Sequence, residues 1–262
     1  MPWTIDVAFP WPVFRIWLRR DIKSRYAGSL AGLLWAVISP IATIALFYLL
    51  FAFIFQIRVP EIAAQSGFFF YLLAGLLPWL SIAEGLSRAT GVIVGHEGFL
   101  QKQAFPVEVL PVTVVTASLV TQGVGTLVFV VLLWWAGILG EGVPWLWPLA
   151  LIAQLAMTIG LGLALAVLAM HLRDLLHATP LVLQFLFYAS PILYPMSMVP
   201  VAVHHLYLLN PFAVLVRTYH AAFLGLELPM AVLVSLGIWT LVLGGGGYLV
   251  FRTLKPTLGE TL

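Results

Sequence analysis

There is no cysteine among the 262 residues. That excludes a disulfide framework, a thiolate nucleophile and any cysteine-ligated metal. Charge is almost as scarce. Lys, Arg, Asp and Glu make up 8% of the chain, against roughly 25% in a soluble domain. So few charges cannot clothe a water-soluble surface. The only lysines are Lys23, Lys102 and Lys255, and none sits in a G-x-x-x-x-G-K-[ST] loop, so the chain has no Walker-type cradle for ATP phosphates. A G-x-S-x-G nucleophile elbow and an H-E-x-x-H pair are missing too. His204 and His205 are adjacent, and neighbours on a helix are poor co-ligands, so they and His220 read as loop or interface polarity rather than a metal site. The opening MPWTIDVAFP lacks a basic stretch followed by an apolar run, so the first spans are expected to act as signals themselves.

What is abundant is apolar. Hydrophobic residues make up 62% of the chain and the mean hydropathy is +1.07, which describes an all-α polytopic membrane protein. A span needs about 20 mostly apolar residues. Six stretches qualify: 30–56, 68–94, 109–139, 145–170, a short proline-rich 178–196, and 230–251. Between the last two, 199–229 is moderately apolar but carries His204, His205, Asn210, Arg217, His220 and Glu227. Broken helices survive at depth only under protein or beside a water-filled cavity, so re-entrant or interfacial helices are expected there.

The net charge of +2 says little, but its distribution orients the chain. With a cytoplasmic N-terminus, Arg15, Arg19, Arg20, Lys23, Arg25, Arg88, Lys102, Arg173, Arg252 and Lys255 fall inside, and only Arg58 and Arg217 fall outside. This asymmetry follows the positive-inside rule and favours six spans with both termini cytoplasmic.

Before the first span, Phe14, Trp17, Leu18, Ile22 and Tyr26 share one helical stripe, with Arg15, Arg19 and Lys23 repeating beside it. An apolar stripe flanked by cations describes a helix lying in the membrane interface. Inside the spans, ionisable residues are few. Glu84 and Arg88 stand i,i+4 with the acid first, the favoured order for a helical ion pair. Small residues pattern the later spans: Gly160 over Ala164, Gly162 over Ala166, and GGGG at 244–247. Such surfaces let helices approach closely. Aromatic residues are plentiful: Phe47, Tyr48, Phe51 and Phe55 in the first span, Phe70, Tyr71 and Trp79 in the second, Phe185 and Tyr188 in the fifth. They suit either lipid-facing packing with an interfacial belt or a pathway along which sugar rings slide.

Six ordered blocks resemble one family: RRDIKSRYAGSLAGLLWAVISP (19–40), LLAGLLPW (72–79), EGLSRATGVI (84–93), FLQKQAFPVEVLP (99–111), MHLRDLLHATPLVLQFLFYASPILYP (170–195) and LNPFAVLVRTYHAAFLG (209–225). Together they resemble the ABC-2 type permeases that export O-antigen, teichoic acid and capsular polysaccharide. The resemblance implies a six-span subunit of a homodimer, lodged in the bacterial cytoplasmic (inner) membrane. Two copies of a separate ATPase subunit would bind ATP and Mg, leaving no cofactor in this chain. The cargo implied is a lipid-linked glycan, with no nucleic acid involved. Residues 1–29 would hold a gate helix, 30–252 the transmembrane domain and 253–262 a cytoplasmic tail. The loop at 95–106 would couple to the ATPase through Glu97, Phe99, Leu100 and Lys102, joined by Arg173 and Asp174 of the next cytoplasmic loop. GHEGFLQKQAF keeps only Lys102 where relatives often carry two adjacent basic residues. Segment 197–228 would be re-entrant and the aromatic rows would line the pore. Arg15, Arg19, Arg20, Lys23 and Arg25 would receive the phosphate of the lipid anchor, because guanidinium binds phosphate bidentately. An ABC-2 exporter of a drug or lipid, and an ion-driven secondary transporter, are the rival expectations. An intramembrane enzyme is disfavoured because no paired nucleophile and base stand out.

Overall fold

The computed structural model describes residues 9–25, 34–50, 67–103 and 105–258. Every regular element among the described residues is helical. An amphipathic helix, α1 (Trp11–Ser24), precedes α2 (Trp35–Phe47), α3 (Gly67–Val92), a single-turn α4 (Glu97–Leu100), α5 (Val109–Trp135), α6 (Leu146–His171) and α7 (Leu175–Tyr188). The chain continues into α8 (Pro211–Leu224) and α9 (Met230–Trp239), then runs through a wide π segment (Thr240–Gly246) into α10 (Gly247–Leu254). Four helical stretches are long and apolar enough to cross a membrane: Gly67–Val92, Val109–Trp135, Leu146–His171 and Met230–Thr257. Ile38–Leu50 and Leu175–Tyr188 are apolar but shorter.

α3 is the central post. Its consecutive Phe68, Phe69, Phe70, Tyr71, Leu72 and Leu73 are all buried, as is Trp79 beyond Pro78. A helix buried on every side needs no amphipathic stripe. Helices α5, α6, α7 and α8 pack around it, while α9 and α10 lie at the rim, with Leu241, Tyr248 and Leu249 exposed.

Two local sequences explain how the rim and the irregular segment are held. A Cβ on Gly160 of α6 would strike the carbonyl oxygens of Leu243 and Gly244, and one on Gly247 would strike the Gly160 carbonyl. Bare backbone is what lets α6 and the π segment touch, so the small-residue pattern does bring these helices together. In α8, Asn210 Oδ1 accepts from the amides of Phe212 (3.0 Å) and Ala213 (3.2 Å), Pro211 sits at the first helical position, and Gly225 closes the helix at φ 66°. Asn-Pro and Gly are the expected start and stop signals. The segment 199–229 thus contains a nine-residue 3-10 helix (Val201–Leu209) followed by α8.

A polar clasp crosses the bundle's interior. The side-chain amides of Gln122 (α5) and Gln154 (α6) bond reciprocally at 3.2 and 2.6 Å. The Tyr219 hydroxyl of α8 donates to Gln154 Oε1 at 2.6 Å, and Gln154 Nε2 lies 3.5 Å from the Pro78 carbonyl of α3. All three side chains are buried, and between them they satisfy one another as a low-dielectric interior demands.

Candidate cytoplasmic gate and coupling surface

The chain arranges its charge at one end of the bundle, around α1. Pro10 and Pro12 mark the helix start, and Phe14 is buried while Arg15, Arg19, Arg20 and Lys23 are exposed. Of the stripe Phe14, Trp17, Leu18 and Ile22, Phe14 is buried and the other three are half-buried, with α1 packed against α5 and Trp17 against the loop after α3. What α1 leaves open is a cationic face that also carries Trp11 and Ile16. Arg20 lies over the Trp17 ring, its guanidinium carbon 5.2 Å from the centroid. Tyr26, Phe51, Phe55 and Arg58 lie outside the described residues.

Arg25 stands apart from the other four cations. Its side chain is 11% exposed and that of Asp21 15%. Arg25 Nε donates to Asp21 at 3.2 Å, Nη1 to Glu84 at 2.7 Å, Nη1 also reaches Thr121 Oγ1 and Nη2 reaches Ser118 Oγ, both at 3.3 Å. Arg88 binds Asp21 through both terminal nitrogens, Nη1 at 3.1 Å. The Glu84–Arg88 pair expected from spacing is present at 3.7 Å, but each partner has a shorter ion pair with α1. Four charges of alternating sign therefore close a ring: Asp21, Arg25, Glu84, Arg88. Asp21, the lone acid in RRDIKSR, was the readable signal for it. With its guanidinium engaged by two carboxylates and two hydroxyls, Arg25 is not presented to a phosphate as Arg15, Arg19, Arg20 and Lys23 are.

The loop after α3, expected from the resemblance to couple to an ATPase, sits against α1. Trp17 packs on His96, Phe99 and Phe105, with ring centroids 5.6, 5.7 and 5.0 Å away, and Phe99 meets Phe105 at 5.4 Å. Beneath them Ile93, Leu100, Val107, Leu110, Phe251 and Leu258 form a second core. Trp17 of α1 and Phe251 and Leu258 near the end of the described chain thus meet in this second core. Leu100 is 0% exposed, so it is a core residue of the loop and offers nothing to a partner. Phe99 is half-buried against Trp17. Glu97 pairs with Arg173 at 3.5 Å, which joins the two expected coupling loops into one surface. Gly95, Gly98, Gln101, Lys102 and Gln103 are exposed beside Arg173 and Asp174. On the other flank Lys255 Nζ lies 2.9 Å from Glu108, and the His171 ring reaches Thr257 Oγ1 at 2.9 Å.

The aromatic residues divide by burial. Phe70, Tyr71 and Trp79 are interior: Phe70 packs on Phe129, Trp79 on Phe187 and Phe212, and Tyr71 stacks on His220 with centroids 3.9 Å apart. The Tyr71 hydroxyl donates to the Pro191 carbonyl at 2.7 Å. Their placement on α3, the helix enclosed by the rest of the subunit, is why they do not reach its surface. Phe47 is half-buried, whereas Tyr48, Phe185 (70% exposed) and Tyr188 are open. Gln184 lies on the same exposed stripe of α7 as Leu181, Phe185 and Tyr188, an amide the sequence did not single out. Among the described residues no cluster of three His, Asp or Glu side chains could hold a metal ion.

Residues 12–224, from α1 through α8, match the ABC-2 type transporter family. Over 251 residues the chain is 30% identical to the O-antigen export system permease protein RfbA of Myxococcus xanthus, covering 94% of this chain and 93% of that one. A protein of the same name from Klebsiella pneumoniae is 26% identical over 249 residues, 93% of this chain and 92% of the relative. The polysialic acid transport protein KpsM of Escherichia coli is 25% identical over 246 residues, again 91% of this chain and 92% of the relative. With a match across more than half its length and near-complete coverage of these permeases, the chain belongs to the ABC-2 type transporter family.

Proposed function

We propose that this chain is the membrane-spanning permease subunit of an ATP-driven exporter of a lipid-linked polysaccharide. The observation that carries the proposal is the end-to-end similarity to relatives named for O-antigen export and polysialic acid transport. Among cargoes of this class, O-antigen is favoured by the higher identity to the first of these relatives, with capsule or teichoic acid the further members. The subunit works in the bacterial cytoplasmic membrane with both termini inside and six crossings, four by the long helices and two by α2 and α7 with their flanking residues. It pairs with a second copy, and two ATPase subunits that bind ATP and Mg dock beneath. The absent Walker loop fits this division of labour.

In this reading the exposed Arg15, Arg19, Arg20 and Lys23 draw in the anionic head of the lipid anchor. The ATPase presses on the surface around Lys102, Arg173 and Asp174. The glycan leaves along the open aromatics Tyr48, Phe185 and Tyr188, whose faces match the apolar sides of sugar rings. The test is reconstitution of the permease with its ATPase subunit in liposomes holding a lipid-linked glycan. Export should need ATP and both subunits. Transport driven by an ion gradient without the ATPase, or intact surface polysaccharide after deletion of the gene, would overturn the proposal.

A further inference from the structure

The ring of Asp21, Arg25, Glu84 and Arg88 and the aromatic contact at Trp17 hold the two halves of α1 by different physics. The ring holds the exit of α1 to α3 and, through Ser118 and Thr121, to α5. Its charges alternate in sign and are mostly withdrawn from water, with Asp21 and Arg25 the most covered. Each member has two oppositely charged neighbours, so moving one away breaks two ion pairs at once, at Asp21 and Arg25 where water compensates least. Charge-assisted hydrogen bonds also fix direction as well as distance. The Trp17 contact is the opposite case. Its neighbours His96, Phe99 and Phe105 meet it at tilted or edge-on angles of 55–66°. Such ring contacts are individually weaker than a charge-assisted hydrogen bond, so they yield before the ring of ion pairs does. One end of the helix is therefore bolted and the other is compliant, and the compliant end touches the loop that follows α3.

We infer that this charge ring is the fixed pivot of the gate helix, with Asp21, Glu84 and Arg88 acting as positioning residues. Displacement of the coupling loop reaches α1 through Trp17 and tilts its N-terminal half. The exit at Arg25, from which the chain continues toward α2, stays in place. The cations Arg15 and Arg19 then ride on the moving arm. Lys23 and Ser24 stay at the hinge. The inference rests on the reading of the chain as an ATP-driven permease only for the source of the displacement; the anchoring itself does not depend on it.

Two measurements test it. The first uses the purified chain alone in micelles and follows amide exchange at Ser24 and Arg25. Asp21→Asn should speed exchange there by about tenfold, the middle of the range for residues coupled in one network. The double variant Asp21→Asn/Arg88→Gln removes a matched pair and should lie closer to the native rate than Asp21→Asn. Glu84→Gln, at the most exposed member of the ring, serves if Asp21→Asn does not fold. Native exchange in both Asp21→Asn and Glu84→Gln overturns the anchor.

The second measurement uses the permease with its ATPase subunit. Because the chain has no cysteine, single cysteines at the exposed Ile16 and Ser24 take a spin label before assembly without background. Adding ATP analogue should change the spectrum at Ile16 and leave Ser24 unchanged. In Asp21→Asn or Glu84→Gln both positions should respond, and ATP hydrolysed per glycan exported should rise as motion leaks away. A Ser24 response equal to that of Ile16 in the native background overturns the pivot. A native complex with no ATP-dependent export would instead remove the proposed function, and the first measurement would still decide the anchor.

Discussion

Replacing Gln154 by Leu is the sharpest probe of the bundle's interior. The side chain is fully buried and occupies the centre of the clasp between Gln122 and Tyr219. Leu matches its volume, so packing changes little and the effect isolates polarity. The change deletes the reciprocal amide pair and the 2.6 Å bond from Tyr219. It leaves the buried Gln122 amide and Tyr219 hydroxyl with little more than their own long contact of 3.5 Å. Interhelical hydrogen bonds in membranes average about 0.6 kcal/mol each, so three bonds set a floor of about 2 kcal/mol. Two stranded buried groups at about 1–3 kcal/mol each raise the estimate toward about 4 kcal/mol. At roughly 2–4 °C per kcal/mol for a chain of this size, the midpoint in detergent should fall by about 5 °C or more.

The refinement lies in the second and third steps. Tyr219→Phe removes one bond while Gln154 Oε1 still accepts from Gln122, so it should cost about 1 kcal/mol. The triple variant Gln122→Leu/Gln154→Leu/Tyr219→Phe strands nothing and should recover most of the loss. Thermal unfolding followed by fluorescence-detected size exclusion reads all of these. If the triple variant loses as much as the three single losses added together, the bonds are independent of one another and the reasoning about stranded groups fails.

Three further outcomes follow from the same geometry. Gly160→Leu drives a side chain into the carbonyls of Leu243 and Gly244 and should abolish a monodisperse fold, whereas Gly95→Ala, facing open space, should leave the elution profile unchanged. Arg15→Gln/Arg19→Gln/Arg20→Gln strips exposed cations and should cut glycan export severalfold with the melting midpoint held within about 1 °C, as surface changes usually are; Arg25→Gln should instead lower the midpoint clearly, because Asp21 and Glu84 are left to share Arg88 alone and Ser118 and Thr121 lose their guanidinium contacts. Lys102→Glu should weaken co-purification of the ATPase from a stable permease, while Leu100→Glu should destabilise the permease itself, since Leu100 lies in the loop's core.

Much of this was legible in the chain. Charge of 8% and runs of apolar residues require a membrane protein whatever its fold. Asn210-Pro211 and Gly225 mark both ends of α8. The i,i+4 spacing found the Glu84–Arg88 pair, and the small-residue stripe found the α6 contact. These features are local: they depend on backbone rules that operate within a few residues.

Sequence by itself determined that the chain lives in lipid, that its charge gathers at one end, and that it cannot hydrolyse ATP through a Walker loop. Tertiary structure decided which of two identical-looking residues does what. Arg19 and Arg25 differ only in what α3 and α5 bring alongside: Arg19 is left in the open, while Glu84, Ser118 and Thr121 claim Arg25. Tyr71 and Tyr188 are both span aromatics, yet one is sealed against His220 and the other is open. Burial is a property of neighbours distant in sequence, and in a chain apolar on nearly every face no periodicity records which face those neighbours will cover.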